Sequence, residues 1–170
     1  MLNRPRLKRL AARLVPLMPR WLYDWLIALT QAHFLVGVTA YVFNPAGQIL
    51  LLHHVFRHRY AWGPPGGWLK RGEDPIAAVI RELREETGLD IRVHCPLYVQ
   101  EKDGHLEIIY FATTEGETTR LSGEILEARF YDPRAIPHSL RLYHAKTIPW
   151  AIAEFERRPE FTQNLQNGQN

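Results

Sequence analysis

Residues 67–89, GWLKRGEDPIAAVIRELREETGL, form the stretch from which the fold and chemistry of this chain are interpreted. Asp74 is a good N-cap, and Pro75 suits the first helical position, where no N–H is needed. Gly88 can adopt the left-handed conformation that ends a helix. The stretch therefore predicts a helix from about Pro75 to Thr87, flanked by two loops.

Acidic and apolar side chains of this helix are predicted on different faces. Glu82, Glu85 and Glu86 share one face, where like charges repel unless something positive lies among them. Arg81 supplies one positive charge, and a divalent cation such as Mg²⁺ or Mn²⁺, which prefers hard oxygen ligands, would supply the rest. Taken alone, such a cluster is typical of a solvated helix face. The stripe expected to pack on a core consists of Ile76, Val79, Ile80 and Leu83.

The complete pattern resembles the signature of the Nudix hydrolases, G-x5-E-x7-R-E-U-x-E-E-x-G-U, in which U is a bulky aliphatic residue. With roughly 5–7% usage per fixed position, a chance match at a given start is on the order of 10⁻⁹ to 10⁻¹⁰. The resemblance extends over residues 34–158, of which 61–89 are diagnostic. The matching positions are Gly67, Glu73, Arg81, Glu82, Leu83, Glu85, Glu86, Gly88 and Leu89.

This resemblance implies a metal-dependent hydrolase that cleaves the pyrophosphate linkage of a nucleoside diphosphate derivative by attack of water on phosphorus. The implied cofactor is Mg²⁺ or Mn²⁺, which would neutralise the charge on the polyanionic substrate. By motif position, Glu82, Glu85 and Glu86 are the expected metal ligands. The carbonyl group at the position of Gly67 often binds metal in the family.

The resemblance also implies roles around the metal. Arg81 is expected to orient Glu73 or Glu85. The general base comes either from the box or from a downstream loop in this family, so Glu82 is the first candidate and Glu124 the second. Glu124 also precedes an aromatic residue in the way that an additional metal-binding glutamate often does.

A loop before the box has a composition that suits a nucleotide. Residues 56–62, FRHRYAW, interleave cations with rings, which suit phosphate and base contacts respectively, although an exposed loop can have the same composition. Many family members have glutamate where this chain has Lys70. His53 and His54 are predicted to alternate across a strand rather than to bind metal. The candidate substrate-binding residues are Arg57, Arg59, Tyr60, Trp62, Trp68 and Lys70.

The order of the remaining patterns predicts an α/β fold. Residues 34–43 and 48–55 read as one β-hairpin, and residues 91–101 and 105–113 as another, joined by Lys102-Asp103-Gly104. Residues 126–132 predict a further strand, and residues 139–157 a helix that Pro149 kinks or interrupts. The resemblance sharpens this order to a Nudix-type α/β/α sandwich with a mixed sheet, preceded by an N-terminal helical arm.

Composition divides the 170 residues into a domain with appendages. We expect a basic amphipathic helical arm at 1–33, the hydrolase domain at 34–158 and a disordered polar tail at 159–170. Cys95 is the only cysteine, and it is expected to lie in a strand within the core. A single cysteine favours a reducing compartment, and the arm fits neither a secretory signal nor a transit peptide. The expected location is therefore cytoplasmic.

The arm concentrates positive charge opposite tryptophan and leucine. Helical patterns span residues 7–14 and about 19–32, and such an arm could lie on an anionic membrane surface, pack on the enzyme, or pack on a second subunit as a homodimer. The rest of the chain is close to neutral, which argues against DNA or long RNA as a partner. The basic residues of the arm are Arg4, Arg6, Lys8, Arg9, Arg13 and Arg20.

The sequence thus predicts an enzyme acting on a small nucleotide, of the ADP-ribose or nucleotide-sugar type. A nucleoside triphosphate pyrophosphohydrolase is the alternative. A nucleotide sensor without catalysis, or a membrane-peripheral scaffold, is the minor alternative.

Overall fold

The computed structural model describes residues 16, 18–57, 60–137, 140 and 142–158. Contacts divide the chain into two compact units, Met1–Phe34 and Leu35–Asn170. The helix predicted at 7–14 and the polar tail at 159–170 lie outside the described residues, as does Arg59. Each unit is considered separately below.

The described part of the first unit contains one helix, α1 (Arg20–Thr30), within the range predicted from sequence. None of its residues is buried. Trp21, Trp25 and Leu29 are 71%, 55% and 63% exposed. The helix therefore presents large apolar side chains at its surface.

No helix among the described residues combines the length and the apolar character needed to cross a lipid bilayer.

The second unit is built on one mixed sheet, to which seven strands of the described residues belong. The strands run in the order β3-β2-β1-β6-β5, with β4 paired to β1 and β7 paired to β2. The β1–β6 pair is parallel and the other pairs are antiparallel. The elements are β1 (Leu35–Phe43), β2 (Ile49–His54), β3 (Trp62–Gly63), β4 (Gly66–Trp68), α2 (Pro75–Thr87), β5 (Arg92–Lys102), β6 (His105–Thr113), β7 (Ile125–Tyr131) and α3 (Leu142–Glu156).

Apolar side chains alternate across β1 and so supply two cores, one on each face of the sheet. Val38, Ala40 and Val42 join the core that contains Val79 and Leu83 of α2. On the other face, Tyr41 and Phe43 join a core that contains these residues of α3: Ile148, Ala151 and Phe155. The predicted α/β/α sandwich with a mixed sheet is therefore confirmed.

The first predicted hairpin is only partly closed. β1 and β2 are paired at Phe43 and Ile49, whereas the opposite half of the same β1 edge is paired with β4. The close approach of β4 depends on Gly66, because a β-carbon there would lie 2.2 Å from the carbonyl oxygen of Val38. Because β4 pairs with β1 beside β2, the start of the box at Gly67 becomes part of the sheet.

The second hairpin is confirmed. β5 and β6 pair along their lengths, and the turn residues Asp103 and Gly104 have φ values of 54° and 79°. Two successive positive φ values are characteristic of the tight two-residue turn that matches the twist of paired strands. Cys95 lies in β5, as predicted, but it is only half-buried and packs against the α3 core from outside.

The C-terminal helix differs from its prediction at Pro149. Its described part runs from Leu142 to Glu156 without interruption, and Ser139, where the predicted helix begins, lies outside the described residues. Pro149 removes one backbone donor, but Ile148 and Ala151 on either side are buried in the core, and their packing holds the helix together. The prediction of an interruption was wrong.

Helix α2 has the ends that its sequence predicts. The Asp74 carboxylate accepts hydrogen bonds from the backbone N–H groups of Ile76 and Ala77, and Gly88 is left-handed with φ 69°. The apolar stripe needs one correction, because Ile76 is 44% exposed while Ala78 and Thr87 are buried. The Thr87 hydroxyl donates to the carbonyl of Leu83, so its polar atom is satisfied within the helix.

Candidate active site

The acidic face of α2 lies against the glycines of β4. A β-carbon built on Gly67 would lie 2.3 Å from the carboxyl carbon of Glu82, so only glycine leaves room for this side chain. Four residues further along the helix, Glu86 accepts a hydrogen bond of 3.2 Å from the backbone N–H of Gly66. Two carboxylates of the box are thus brought to one short strand.

Arg81 connects the box internally. Its Nε donates to Oε1 of Glu73 at 2.7 Å, and its Nη2 donates to Oε2 of the same carboxylate at 3.0 Å. Its Nη1 donates to Glu82 at 2.7 Å and to Glu85 at 3.3 Å. One guanidinium therefore orients three carboxylates, including both that the resemblance suggested.

Glu73 is held in its charged form. The hydrogen bonds from Arg81, followed by one from the backbone N–H of Lys70, lower the pKa of Glu73 from 4.5 to about 2. A carboxylate with this pKa is a poor proton acceptor near neutral pH. Its geometry suits an anchor for Arg81 and the loop before α2.

Glu86 has the opposite character. Burial raises its pKa from 4.5 to about 7; the Gly66 N–H opposes this rise, the charges of Glu82 and Glu124 add to it, and the charge of Arg57 opposes it. Glu124 therefore lies within electrostatic reach of the box, although it is remote in sequence. The backbone carbonyl of Glu124 accepts from Val55 N–H at 2.9 Å, which ties the start of β7 to the loop that carries Arg57.

The carboxylates suit a divalent cation by chemistry, since they are hard oxygen donors that repel one another while partly buried. Across the described part of the chain, no three acidic, histidine or cysteine side chains are grouped closely enough to hold a metal ion as they stand. Arg81 binds Glu82 and Glu85 at once and so fixes the orientation of both carboxylates. The donor set fits a divalent cation by its chemistry.

A cavity of about 520 Å³ lies along β4, the strand that the acidic face of α2 contacts. Gly66 and Gly67 form part of its wall, so the cavity and the acidic cluster share the same short strand. Arg57 also lines it and lies near enough to Glu86 to affect its pKa. No box glutamate is among the described residues that line the cavity, so Arg57 and the glycines of β4 are what connect it to the acidic cluster.

The structure separates the predicted substrate-binding residues. Arg57 and Trp68 line the cavity. Trp62 instead packs between His53 and Tyr131, with ring centroids 5.1 and 5.2 Å away, beside the core of α3. The side chains of Tyr60 and Lys70 are exposed and do not line the cavity, and Arg59 lies outside the described residues.

Sequence reasoning missed the opposite wall of the cavity. Glu107 lies on β6 within an otherwise apolar run, and a charged residue inside such a strand is the signal that could have identified it. The cavity wall that contains Glu107 became recognisable only from the pairing of β1 with β6, two strands that are far apart in sequence. The missed lining residues include Thr39, Gln100, Lys102, His105 and Glu107.

The two histidines of β2 lie in different surroundings. His53 contacts the ring of Trp62 on one side of the strand, while His54 is buried. A register shift lies between the two residues. No metal-binding group that contains either of them is found among the described residues.

Comparison with known proteins identifies the family. The model of the NUDIX domain matches residues 33–151, which is most of the chain. The chain belongs to the Nudix hydrolase family. Nudix hydrolases generally need divalent metal ions, which agrees with the donor chemistry of the box.

Two curated Nudix relatives are similar over parts of their length. The 8-oxo-dGDP phosphatase NUDT18 of Danio rerio is 30% identical over 75% of this chain and 40% of its own length. An ADP-ribose pyrophosphatase of Methanocaldococcus jannaschii is 33% identical over 49% of this chain and 53% of its own length. This Nudix chain therefore spans about half or less of the length of these relatives.

Solved structures support the fold. The crystal structure of an ADP-ribose pyrophosphatase from Streptococcus suis superposes with a TM-score of 0.61 at 18% identity, covering 74% of this chain and 93% of that one. At this identity the likeness concerns the architecture alone, since one fold serves many chemistries.

Proposed function

We propose that this Nudix protein is a metal-dependent pyrophosphohydrolase that cleaves the pyrophosphate linkage of nucleoside diphosphate derivatives, of the ADP-ribose or nucleotide-sugar type. The observation that carries the proposal is the meeting of Glu82, Glu86 and Arg57 at the glycine strand β4, beside a cavity of nucleotide size. Acidic ligands and a cation at one edge of a cavity suit a phosphate chain held by a metal ion.

The residues expected to hold Mg²⁺, with Mn²⁺ as the other candidate, are Glu82, Glu85 and Glu86, joined by Glu124 and the Gly67 carbonyl. When bound, the ion would neutralise charge that develops on the phosphates and lower the pKa of the attacking water. The hydrogen bonds of Arg81 to Glu82 and Glu85 orient these carboxylates before the ion arrives.

The chain's own residues supply binding and proton transfer. Arg57, on the cavity wall, would hold a substrate phosphate by charge-assisted hydrogen bonds. Glu82, whose carboxylate is fixed between Gly67 and Arg81, is the first candidate to accept the proton of the attacking water. Glu124 is the second candidate, because it lies near Glu86 but outside the network of Arg81.

The preference for diphosphate derivatives rests partly on the relatives. One acts on 8-oxo-dGDP and another on ADP-ribose according to their names, and both are at least 30% identical to this chain. Hydrolysis of nucleoside triphosphates is the second candidate function, since the same carboxylates would serve it. A sensor or scaffold without catalysis would gain little from the oriented carboxylate set around Arg81. We place the protein in the cytoplasm.

The test is kcat/KM for a substrate panel with Mg²⁺ and with Mn²⁺, identifying both products. The panel contains ADP-ribose, nucleotide sugars, nucleoside diphosphates and nucleoside triphosphates. We expect metal-dependent release of a nucleoside monophosphate from ADP-ribose, nucleotide sugars or nucleoside diphosphates. Release of pyrophosphate from triphosphates at far higher rates would replace this ordering with the second candidate. No hydrolysis with either metal would overturn the enzymatic proposal.

A further inference from the structure

Four residues lie side by side across four neighbouring strands at the cavity. Gly37 of β1 is paired with Trp68 of β4 on one side and with Glu107 of β6 on the other, and Glu107 is paired with Gln100 of β5. Directly paired residues point to the same face of a sheet, roughly 4.7–4.9 Å from strand to strand. All four line the same cavity. The row therefore has a gap at Gly37, between an aromatic ring and a carboxylate.

The ring of Trp68 leans into this gap. A β-carbon on Gly37 would lie 3.8 and 3.9 Å from two ring atoms of Trp68, which places the ring over the glycine. The ring is also near that of His105, with centroids 5.6 Å apart, and Trp68 remains 56% exposed. It therefore offers a flat apolar surface at the cavity, of the kind on which a nucleobase stacks.

The carboxylate of Glu107 is held in position by its neighbours. The Thr39 hydroxyl donates to Oε1 at 2.8 Å, and the Gln100 amide donates to Oε2 at 3.0 Å. A carboxylate offers about four acceptor positions, so each oxygen keeps one for a ligand. Glu107 forms no ion pair with a lysine or arginine of the described residues. It is an oriented acceptor whose charge no described cation pairs with directly.

We propose that this cavity binds a guanine-type base, with Trp68 stacking on its face and Glu107 accepting from its N1–H and 2-amino groups. The proposal rests on the proposed function and narrows its substrates to those that carry guanine, so ADP-ribose, which carries adenine, is expected to bind more weakly than a guanine nucleotide. Guanine presents two adjacent donors that match the two free acceptor positions of a carboxylate, whereas oxidation at its C8 leaves this edge unchanged. Arg57, on the same cavity wall, connects the base position to the carboxylates that would meet the phosphates.

Other bases do not match Glu107. Adenine presents its 6-amino donor beside the acceptor N1. The lone pair of N1 would then face a carboxylate oxygen, and the two acceptors would repel each other. Uracil presents one donor between two carbonyl groups. A ribose with both hydroxyl groups also offers two donors, so the sugar must be separated from the base by experiment. A site built to pair polar groups discriminates strongly, because the wrong ligand leaves a polar group unpaired.

The test is calorimetric titration of the full chain, without metal, with GMP, dGMP, AMP and UMP, so that binding is measured apart from hydrolysis. We expect GMP and dGMP to bind at least about 30-fold more tightly than AMP and UMP, the effect of losing one bidentate pair. In Glu107→Gln, GMP should bind at least about 10-fold more weakly and AMP more tightly, because an amide matches the adenine edge. The matched control is Glu117→Gln, the same change on an exposed loop residue.

Two further variants protect the test against a folding defect in Glu107→Gln. Trp68→Leu should weaken all four ligands by about 10-fold without changing their order, because stacking is tolerant of base identity. Gly37→Val should fill the gap and weaken GMP in particular, since a β-carbon at this position makes only ordinary contacts.

The outcomes separate the base assignment from the enzymatic proposal. Equal binding of GMP and AMP, or an unchanged ratio in a folded Glu107→Gln variant, overturns the base assignment. The base assignment is also overturned if dGMP binds more weakly than GMP by as large a factor as AMP does. That result would assign Glu107 to the sugar. Guanine-selective binding without hydrolysis of any diphosphate or triphosphate compound leaves the base assignment standing and removes the enzymatic proposal. Hydrolysis without base selectivity removes the base assignment and leaves the enzymatic proposal standing.

Discussion

The Glu82 carboxylate lies directly over the α-carbon of Gly67, where a β-carbon would be 2.3 Å from its carboxyl carbon. Arg81 fixes the same carboxylate from the other side with a 2.7 Å hydrogen bond. The first residue of the Nudix box, carried by the strand β4, is thus in contact with the first glutamate of the acidic face, carried by the helix α2. This contact explains why a side chain at residue 67 would disturb the site.

Gly67→Ala should displace Glu82 while leaving the core intact. We expect kcat/KM to fall about 100-fold, since a shift of about 1 Å in a catalytic group can have this effect. The thermal midpoint should change little, because the glutamate can move toward solvent. Gly116→Ala is the control, since a β-carbon there meets its nearest neighbour at 3.5 Å. Equal kcat/KM for both variants would contradict the role of this contact.

Glu85→Gln should lower kcat by several powers of ten at nearly constant shape, because the amide removes a charged metal ligand. The Glu85 side chain is 55% exposed and pairs with Arg81 at 3.3 Å, so its replacement should leave the fold unchanged. Circular dichroism and steady-state kinetics in Mg²⁺ measure the two effects. Activity equal to that of the unmodified protein would exclude Glu85 as an essential ligand; Glu117→Gln again serves as the control.

Glu73 should make the stability of the domain depend on pH. Its pKa is lowered from 4.5 to about 2 in the folded state, so its stabilising effect is present above pH 4.5 and is lost as pH falls through about 2. The difference in free energy of unfolding between the unmodified protein and Glu73→Gln should be constant at neutral pH and shrink across this interval. Urea titrations over that range measure it, and a difference that grows on acidification would contradict the assignment.

Glu82→Gln and Glu124→Gln should distinguish the two candidates for the general base. Removal of the base should abolish the acidic limb of the profile of kcat/KM against pH, because that limb reports deprotonation of the base in the free enzyme. Removal of a metal ligand alone should instead lower activity and raise the metal concentration required, with the limb retained. We expect the limb to be lost in Glu82→Gln. Its loss in Glu124→Gln alone would transfer the role to Glu124.

Deletion of residues 1–32 should leave metal-dependent hydrolysis measurable, because the described catalytic contacts all belong to the second unit. Membrane binding of the arm can be assayed separately, because the arm has exposed Trp21 and Trp25 and several basic residues. Co-sedimentation with acidic vesicles should fall with added salt and disappear on deletion. Equally strong binding to neutral vesicles would exclude electrostatic docking. A change of oligomeric state on deletion would assign the arm to subunit packing in a homodimer.

The box could be interpreted from sequence because its information is local. The caps of α2 follow from Asp74 and Gly88 at its ends, and the acidic face and the Arg81–Glu85 pair follow from helical spacings of three and four residues; the structure retains these features. The turn at Asp103 and Gly104 is likewise encoded by the residues that form it. Such features need no knowledge of distant parts of the chain.

The sequence by itself determined the family, the helix that carries the acidic cluster and most of the strands. Only the tertiary structure decided that β4 shares an edge of β1 with β2, that Trp62 packs beside the core, and that Ile76 faces solvent. It also decided the row in which Gly37 separates Trp68 from Glu107. The reason is that strand pairing joins residues remote along the chain, and it depends on how all the apolar faces are buried together rather than on any local pattern.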